Sequence, residues 1–199
     1  DRSPSRGLGD VYKRQLYVRQ LNQLDMIFVY IIAAIIAIFI LLAAFAPKKY
    51  NMSRSIVIQK SRPELYQYLK LMKNQDHWSP WKKRDPDMKQ TYTGEDGTIG
   101  FIAHWDSDHK HVGAGEQEIL KLEENKKVVS ALRFIKPWKS ESTGYFDLED
   151  ADGGTKVTWG FHGTNKIPFN VMMLFYNMDK AVGKDFEEGL ADLKKVLEN

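Results

Sequence analysis

Twenty-one consecutive residues without a charge, Met26 to Ala46 (MIFVYIIAAIIAIFILLAAFA), constrain this chain more than any other feature. As an α-helix rising 1.5 Å per residue the run is about 31 Å long, the thickness of a bilayer's hydrocarbon core. It is apolar on every side, so no face is suited to water. A transmembrane helix over 26–46 is the expected outcome. Two other readings stay open: the buried helix of a soluble protein, and a cleaved signal peptide. Signal peptides usually have a shorter apolar core of about 7 to 15 residues, but Ala43, Ala44 and Ala46 supply small residues for a cleavage point.

The flanks say less. Residues 1–15, DRSPSRGLGDVYKRQ, lack apolar periodicity and resemble a translated adaptor sequence. The N-terminal segment 1–25 is therefore set aside from fold reasoning, with Met26 as one candidate start. Lys48, Lys49 and Arg54 follow the span whereas only Arg19 closely precedes it, so the positive-inside rule puts the following domain in the cytoplasm. A different native start would reverse that count, and the side of the domain stays open. Residues 47–53 read as a juxtamembrane linker and 54–199 as one globular domain, a usual size for a single core.

The charge pattern narrows the partners. Of 29 basic and 26 acidic side chains, seven basic and three acidic precede Tyr50, which leaves 22 and 23 in the rest. Nucleic acid needs a concentrated positive face, so it is not an expected partner. There is no cysteine, which removes disulfides, thiolate metal sites and a cysteine nucleophile. Walker loop, dinucleotide fingerprint, HExxH and nucleophile elbow are all missing, and no cofactor is expected.

Periodicity outlines the domain. Tyr50 to Gln59 alternates and ends β-branched, a strand. Ser61 with Pro63 and Glu64 opens a helix whose buried side is Leu65, Tyr66, Leu69 and Met72. A short helical turn over Asn74 to Trp78 is expected to stop at Pro80. Alternating segments then predict strands near 88–93, 98–106, 112–122, 127–135, 139–149 and 155–163, separated by turns such as Asp96-Gly97 and Asp152-Gly153-Gly154. Short connections imply an antiparallel meander. From Pro168 to the end, Met172, Phe175, Val182, Phe186, Leu190, Leu193 and Leu197 recur at helical spacing, predicting one long helix for the sheet to curl around. The same projection puts Asp179 inside the apolar stripe and Gly183 at its margin.

The order of strand, two short helices, six-strand meander and long C-terminal helix resembles the SRPBCC superfamily. This is the START and Bet v 1-like helix-grip fold, including its polyketide cyclase/dehydrase-like members. The resemblance covers Tyr50 to Asn199. It is carried by Arg54-Ser55-Ile56-Val57-Ile58, Trp78-Ser79-Pro80-Trp81-Lys82, Gly113 and Gly115, Thr155 to Trp159, and Gly183 to Leu190. It implies an α+β domain, a seven-stranded curved antiparallel sheet around the terminal helix, with a cavity used across the superfamily for lipids, sterols, polyketides and other apolar molecules. No common catalytic set comes with it.

Candidate residues follow from that cavity. Trp78 and Trp81 flank a proline where the mouth would lie, with apolar area and an N–H donor each, although both could equally fill the core. Trp159 and Phe161 share one strand face and Phe134 lies on another, all aimed at the helix. Met172 and Phe175 would face the same interior. His104 sits in a strand between apolar neighbours, so its side is undecided. Asp179, enclosed by Phe175, Met178 and Val182, could act as a general acid or bond a ligand hydroxyl; a rotated helix would carry it to the sheet edge instead. Asp106 to His111 reads as a solvated loop, not a metal site, since no ligand spacing is recognisable. The expected function is a membrane-tethered binding protein for a hydrophobic or amphiphilic small molecule, lipid, isoprenoid or polyketide-like. An enzyme of cyclase, dehydratase or hydrolase type and a protein-interaction module remain alternatives.

Overall fold

A computed structural model describes the backbone of residues 4–199, with side chains described continuously from Asp25. Residues 1–3 of the adaptor-like stretch lie outside it. One helix, α1, runs Pro4–Phe45. Its stretch Asp25–Phe45 is long and apolar enough to cross a membrane. Only residues 46–48 separate α1 from the first strand, β1 (Lys49–Ile58), so most of the expected linker is already sheet.

The remaining strands are β2 (Lys89–Thr93), β3 (Ile102–Asp106), β4 (Ala114–Glu123), β5 (Lys127–Lys136), β6 (Ser140–Ala151) and β7 (Gly154–Thr164). They form one antiparallel sheet in the order β1-β7-β6-β5-β4-β3-β2, a meander closed by β1 pairing with the last strand. That pairing runs unbroken from Lys49 opposite Thr164 to Ile58 opposite Thr155. Strands that alternate in direction bring the start of β1, the end of β7, the β5–β6 hairpin and the β3–β4 connection to one end of the sheet. That end adjoins α1. Bulges in β4 bend the sheet, and Gly115 permits one of them: a Cβ there would lie 2.5 Å from the Arg133 carbonyl and 2.7 Å from the Trp105 ring.

Between β1 and β2 the chain crosses the concave face as α2 (Arg62–Leu69), a 3₁₀ helix (Met72–His77) and α3 (Pro80–Arg84). The expected Ser61 cap opens α2, and the structure completes it as a capping box: Ser61 Oγ accepts from Glu64 N at 3.4 Å and Glu64 Oε2 accepts from Ser61 N at 3.0 Å. Pro80 begins a helix where the sequence reading had it end one. Its missing N–H costs nothing in a first turn.

The C-terminal helix is shorter than its periodicity predicts. Residues 168–199 split into a 3₁₀ helix, Phe169–Leu174, and α4, Met178–Glu198. Asn177 caps α4, its side chain accepting from Lys180 N at 3.0 Å, and Asp179 stands in the first turn, where the helix dipole favours an acid. The preceding run Val-Met-Met-Leu-Phe-Tyr has apolar residues on all sides and no polar face to present.

α4 buries Phe186, Leu190 and Leu193 with Trp78, Phe146, Leu148, Val157 and Trp159. Each such side chain contributes about 1.5–3 kcal/mol by leaving water. Phe186 stacks on Trp159 with centroids 4.0 Å apart, and Trp78 meets Trp159 edge-on at 4.9 Å. Gly189 makes this approach feasible, since a Cβ would stand 2.8 Å from the Trp159 ring.

Candidate functional site

α4 packs chiefly on the β1–β7 side of the concave face. Over β3 to β6 a cavity of about 160 Å³ remains. Its aromatic and aliphatic wall includes Trp81, Leu132, Phe134, Phe146, Trp159 and Phe186. The inward positions reflect strand alternation: Ala103 and Trp105 on β3, Gln117 on β4, Ser130, Leu132 and Phe134 on β5, Gly144 and Phe146 on β6. Small residues at 103, 130 and 144 leave the volume empty that larger ones would fill.

Two polar groups interrupt the apolar wall from the sheet. Gln117 Nε2 donates to Ser130 Oγ at 2.9 Å, and Ser130 is buried. A pair of this kind can turn toward a guest's hydroxyl or carbonyl, because the serine can donate as well as accept. A second polar cluster joins the helical crossover to β2. Gln90 Nε2 donates to Asp76 Oδ1 at 2.8 Å, and Lys82 Nζ donates to Gln90 Oε1 at 2.7 Å. Burial, then the nearby Asp76 carboxylate, raises the Tyr92 phenol above its ordinary value, so it stays a neutral donor.

α3 closes this region against α4. Trp81 lies edge-on to Trp159 at 5.7 Å and to Phe186 at 5.9 Å. Arg84 forks onto Asp185, with Nη1 2.8 Å from Oδ2, and Lys83 pairs with Asp192. The Lys83 ammonium holds the Asp192 carboxyl below the usual carboxylate range.

The residues singled out from sequence divide. Trp81, Phe134 and Trp159 line the cavity. Trp78 is core, 1% exposed, with its indole N–H unpartnered. Phe161 packs on Phe186 and Tyr50 behind the cavity. His104 borders the cavity, but its Nδ1 lies 3.2 Å from Oε2 of Glu116, whose Oε1 accepts from Arg133 Nη1. Three placements are corrected. Met172 and Phe175 are exposed because the helix does not begin until Met178. Asp179 is 62% exposed and accepts from Arg54 Nη2 at 2.6 Å; Arg54 also bonds Glu187 at 2.7 Å. Gly183 makes room for that guanidinium, a Cβ there falling 2.5 Å from Arg54 Nη2. The acid thus sits at the sheet edge, outside the cavity.

Sequence reasoning missed Ala103, Trp105, Gln117, Ser130, Gly144 and Phe186 as wall residues. The signal lay in the alternation: a polar or small residue on an inward register otherwise apolar, as at Gln117 beside Ile119 and Ser130 between Val128 and Leu132. Among the described residues, no three His, Asp or Glu side chains gather as metal ligands. A larger depression of about 570 Å³ at the start of α2, lined by Lys60, Arg62, Glu64 and Asp150, is a polar surface groove open to solvent.

No protein-family profile matches the sequence, and no curated protein is similar to it in sequence. Solved structures resemble it in fold. The Aha1 dimer from Colwellia psychrerythraea aligns at TM-score 0.52 and 19% identity, covering 75% of this chain and 96% of that one. A protein from Mesorhizobium loti aligns at 0.54 and 14%, covering 75% and 97%. Ginseng major latex-like protein 151 from Panax ginseng aligns at 0.53 and 11%, covering 75% and 97%. At these identities the likeness concerns the fold.

Proposed function

From the premise that this chain carries the SRPBCC, Bet v 1-like helix-grip fold, we propose that it is a membrane-anchored binding protein. Its guest is a small hydrophobic molecule with one hydrogen-bonding group, or the end of a single lipid chain. The observation that carries this reading is the aromatic-walled cavity with Gln117 and Ser130 on its floor. Its volume selects the guest: a cavity of about 150 Å³ holds a benzene-sized molecule, so a sterol or whole lipid exceeds it without movement of the walls.

Anchoring gives the cavity a source of ligand. Apolar molecules partition into a bilayer, and a site tethered there meets them at high local concentration. Trp105, Val112 and Phe134, at or near strand ends on the α1 side, bring the cavity to the half of the domain nearest the span. That α1 persists as an anchor, and is not a removed signal, is supported by Asn170. Its side chain bonds the carbonyls of Ala43 and Ala46, partners that cleavage in this alanine-rich stretch would disturb.

The enzyme alternative loses its nominated acid, because Asp179 is at the sheet edge. Native mass spectrometry of delipidated full-length protein tests the binding reading. Exposure to a broad lipid extract is expected to yield one-to-one adducts of small prenyl or single-chain amphiphiles. Persistent absence of adducts counts against it.

A further inference from the structure

We propose that residues 167–176 form a second membrane contact, inserted at the boundary of lipid hydrocarbon and headgroups beside the end of α1; this rests on the reading of α1 as a membrane span. The segment is pinned from one side and bare on the other. Asn170 is fully buried, and its Nδ2 donates to Ala43 O at 2.7 Å and Ala46 O at 3.0 Å. These are carbonyls at the C-terminal end of α1, where a helix leaves them without partners. Val171 is buried in the same contact.

The rest of the segment points outward. Ile167, Phe169, Met172, Leu174, Phe175 and Tyr176 are all exposed, Phe175 to 82%. Six large apolar or aromatic side chains within ten residues are a costly surface to hold in water, at about 25 cal/mol per Å². Through Asn170 the segment continues directly from the end of α1, whose apolar side chains are exposed as far as Phe45, at 85%. Whatever solvates α1 therefore reaches the segment. That continuity selects lipid as the occupant over a soluble partner.

The rest of this end of the domain has interfacial chemistry. The β5–β6 hairpin carries exposed Trp138 and Ile135, and Lys48, Lys49, Lys139 and Lys166 are exposed at the same end. Tryptophan and lysine are the residues that settle at headgroup level. The acids there are Asp85, Asp87, Asp106, Asp108 and Glu141; Asp106 is engaged by Lys136 at 2.8 Å, Glu141 lies 3.7 Å from Arg133 and Asp85 accepts from Ser107. With the span alone, the domain could swing on residues 46–48. With the segment inserted, it is held at two points, with the cavity half toward the bilayer.

The absence of cysteine makes the test direct. Phe175→Cys, Met172→Cys, Ile36→Cys and Asp152→Cys are each labelled with a nitroxide in the full-length chain in phosphatidylcholine nanodiscs. Accessibility to oxygen and to a water-soluble nickel chelate is then read by electron paramagnetic resonance. Ile36 lies within the span and Asp152 is exposed in the β6–β7 turn, far from α1. The ratio of oxygen to nickel accessibility at 172 and 175 is expected to fall below that at 36, the middle of the span, and to exceed that at 152 severalfold. Labels at 172 and 175 that behave like 152 while 36 remains in lipid overturn the insertion and leave the span intact. A label at 36 that also behaves as water-exposed overturns both. Labels at 172 and 175 shielded from both reagents overturn the insertion in favour of a protein contact, such as a second copy of the chain.

Discussion

Under the proposed binding function, Gln117 is the residue on which recognition of a guest depends most. Paired with Ser130 on an otherwise apolar floor, it offers one side-chain amide to a bound hydroxyl. Replacing it with leucine is expected to weaken binding of an alcohol about two- to tenfold, the worth of one net hydrogen bond, while an isosteric hydrocarbon binds no worse. Competition between the two probes measures this; equal loss for both would remove Gln117 from recognition. At the opposite wall, Gly189 is where α4 comes within reach of Trp159 and Pro80. Gly189→Ala forces a methyl into that contact and is expected to cost about 1–3 kcal/mol, less the gain in helix propensity, read as a lowered melting temperature by near-ultraviolet circular dichroism.

Among the elements, α3 is the one with the least hold of its own, five residues fastened to α4 by Arg84–Asp185 and Lys83–Asp192. The sign of its pH dependence follows from Asp192. A carboxyl depressed in the folded state adds stability that is present above the ordinary aspartate range, near pH 4, and is lost as pH falls through the lowered folded value. Protection factors of the α3 amides, which remove the intrinsic pH dependence of exchange, should therefore fall at acid pH in the wild type, and Asp192→Asn should lower them at neutral pH already. The 3₁₀ helix Phe169–Leu174 is held by Asn170 in a comparable way. Asn170→Ala should raise exchange across 167–176 and leave β1–β7 pairing unchanged; unaltered exchange would show that the alanine carbonyls do not hold the segment.

The elements also show which signals local sequence carries. All seven strands were legible to within a few residues, because alternation and Gly-rich turns are local properties. The Ser61 cap of α2 was legible for the same reason. The C-terminal helix was overextended because helical spacing continues through Met172 and Phe175, and periodicity does not reveal that Asn177 caps or that Asn170 is drawn to α1. Asp179 was misplaced with it. An angular projection fixes a residue relative to its own helix, whereas Arg54, on a strand far away in sequence, decides which way the acid faces.

At the scale of the whole molecule, the cavity, the end of the apolar helix α1 and the exposed segment lie toward one end of the sheet. The hollow exists because small residues at 103, 130 and 144 meet a helix displaced toward β1, a balance of volumes between distant strands that no single stretch of sequence encodes. The account stands or falls on whether that hollow takes a guest. Methionine-methyl NMR of the full-length protein in nanodiscs, titrated with benzyl alcohol, reads this directly, because Met88 and Met72 line the cavity while Met52 is buried in the core away from it. Saturable shifts at Met88 and Met72, with Met52 unmoved, are the predicted result. Shifts that never saturate, or that appear equally at Met52, would contradict it.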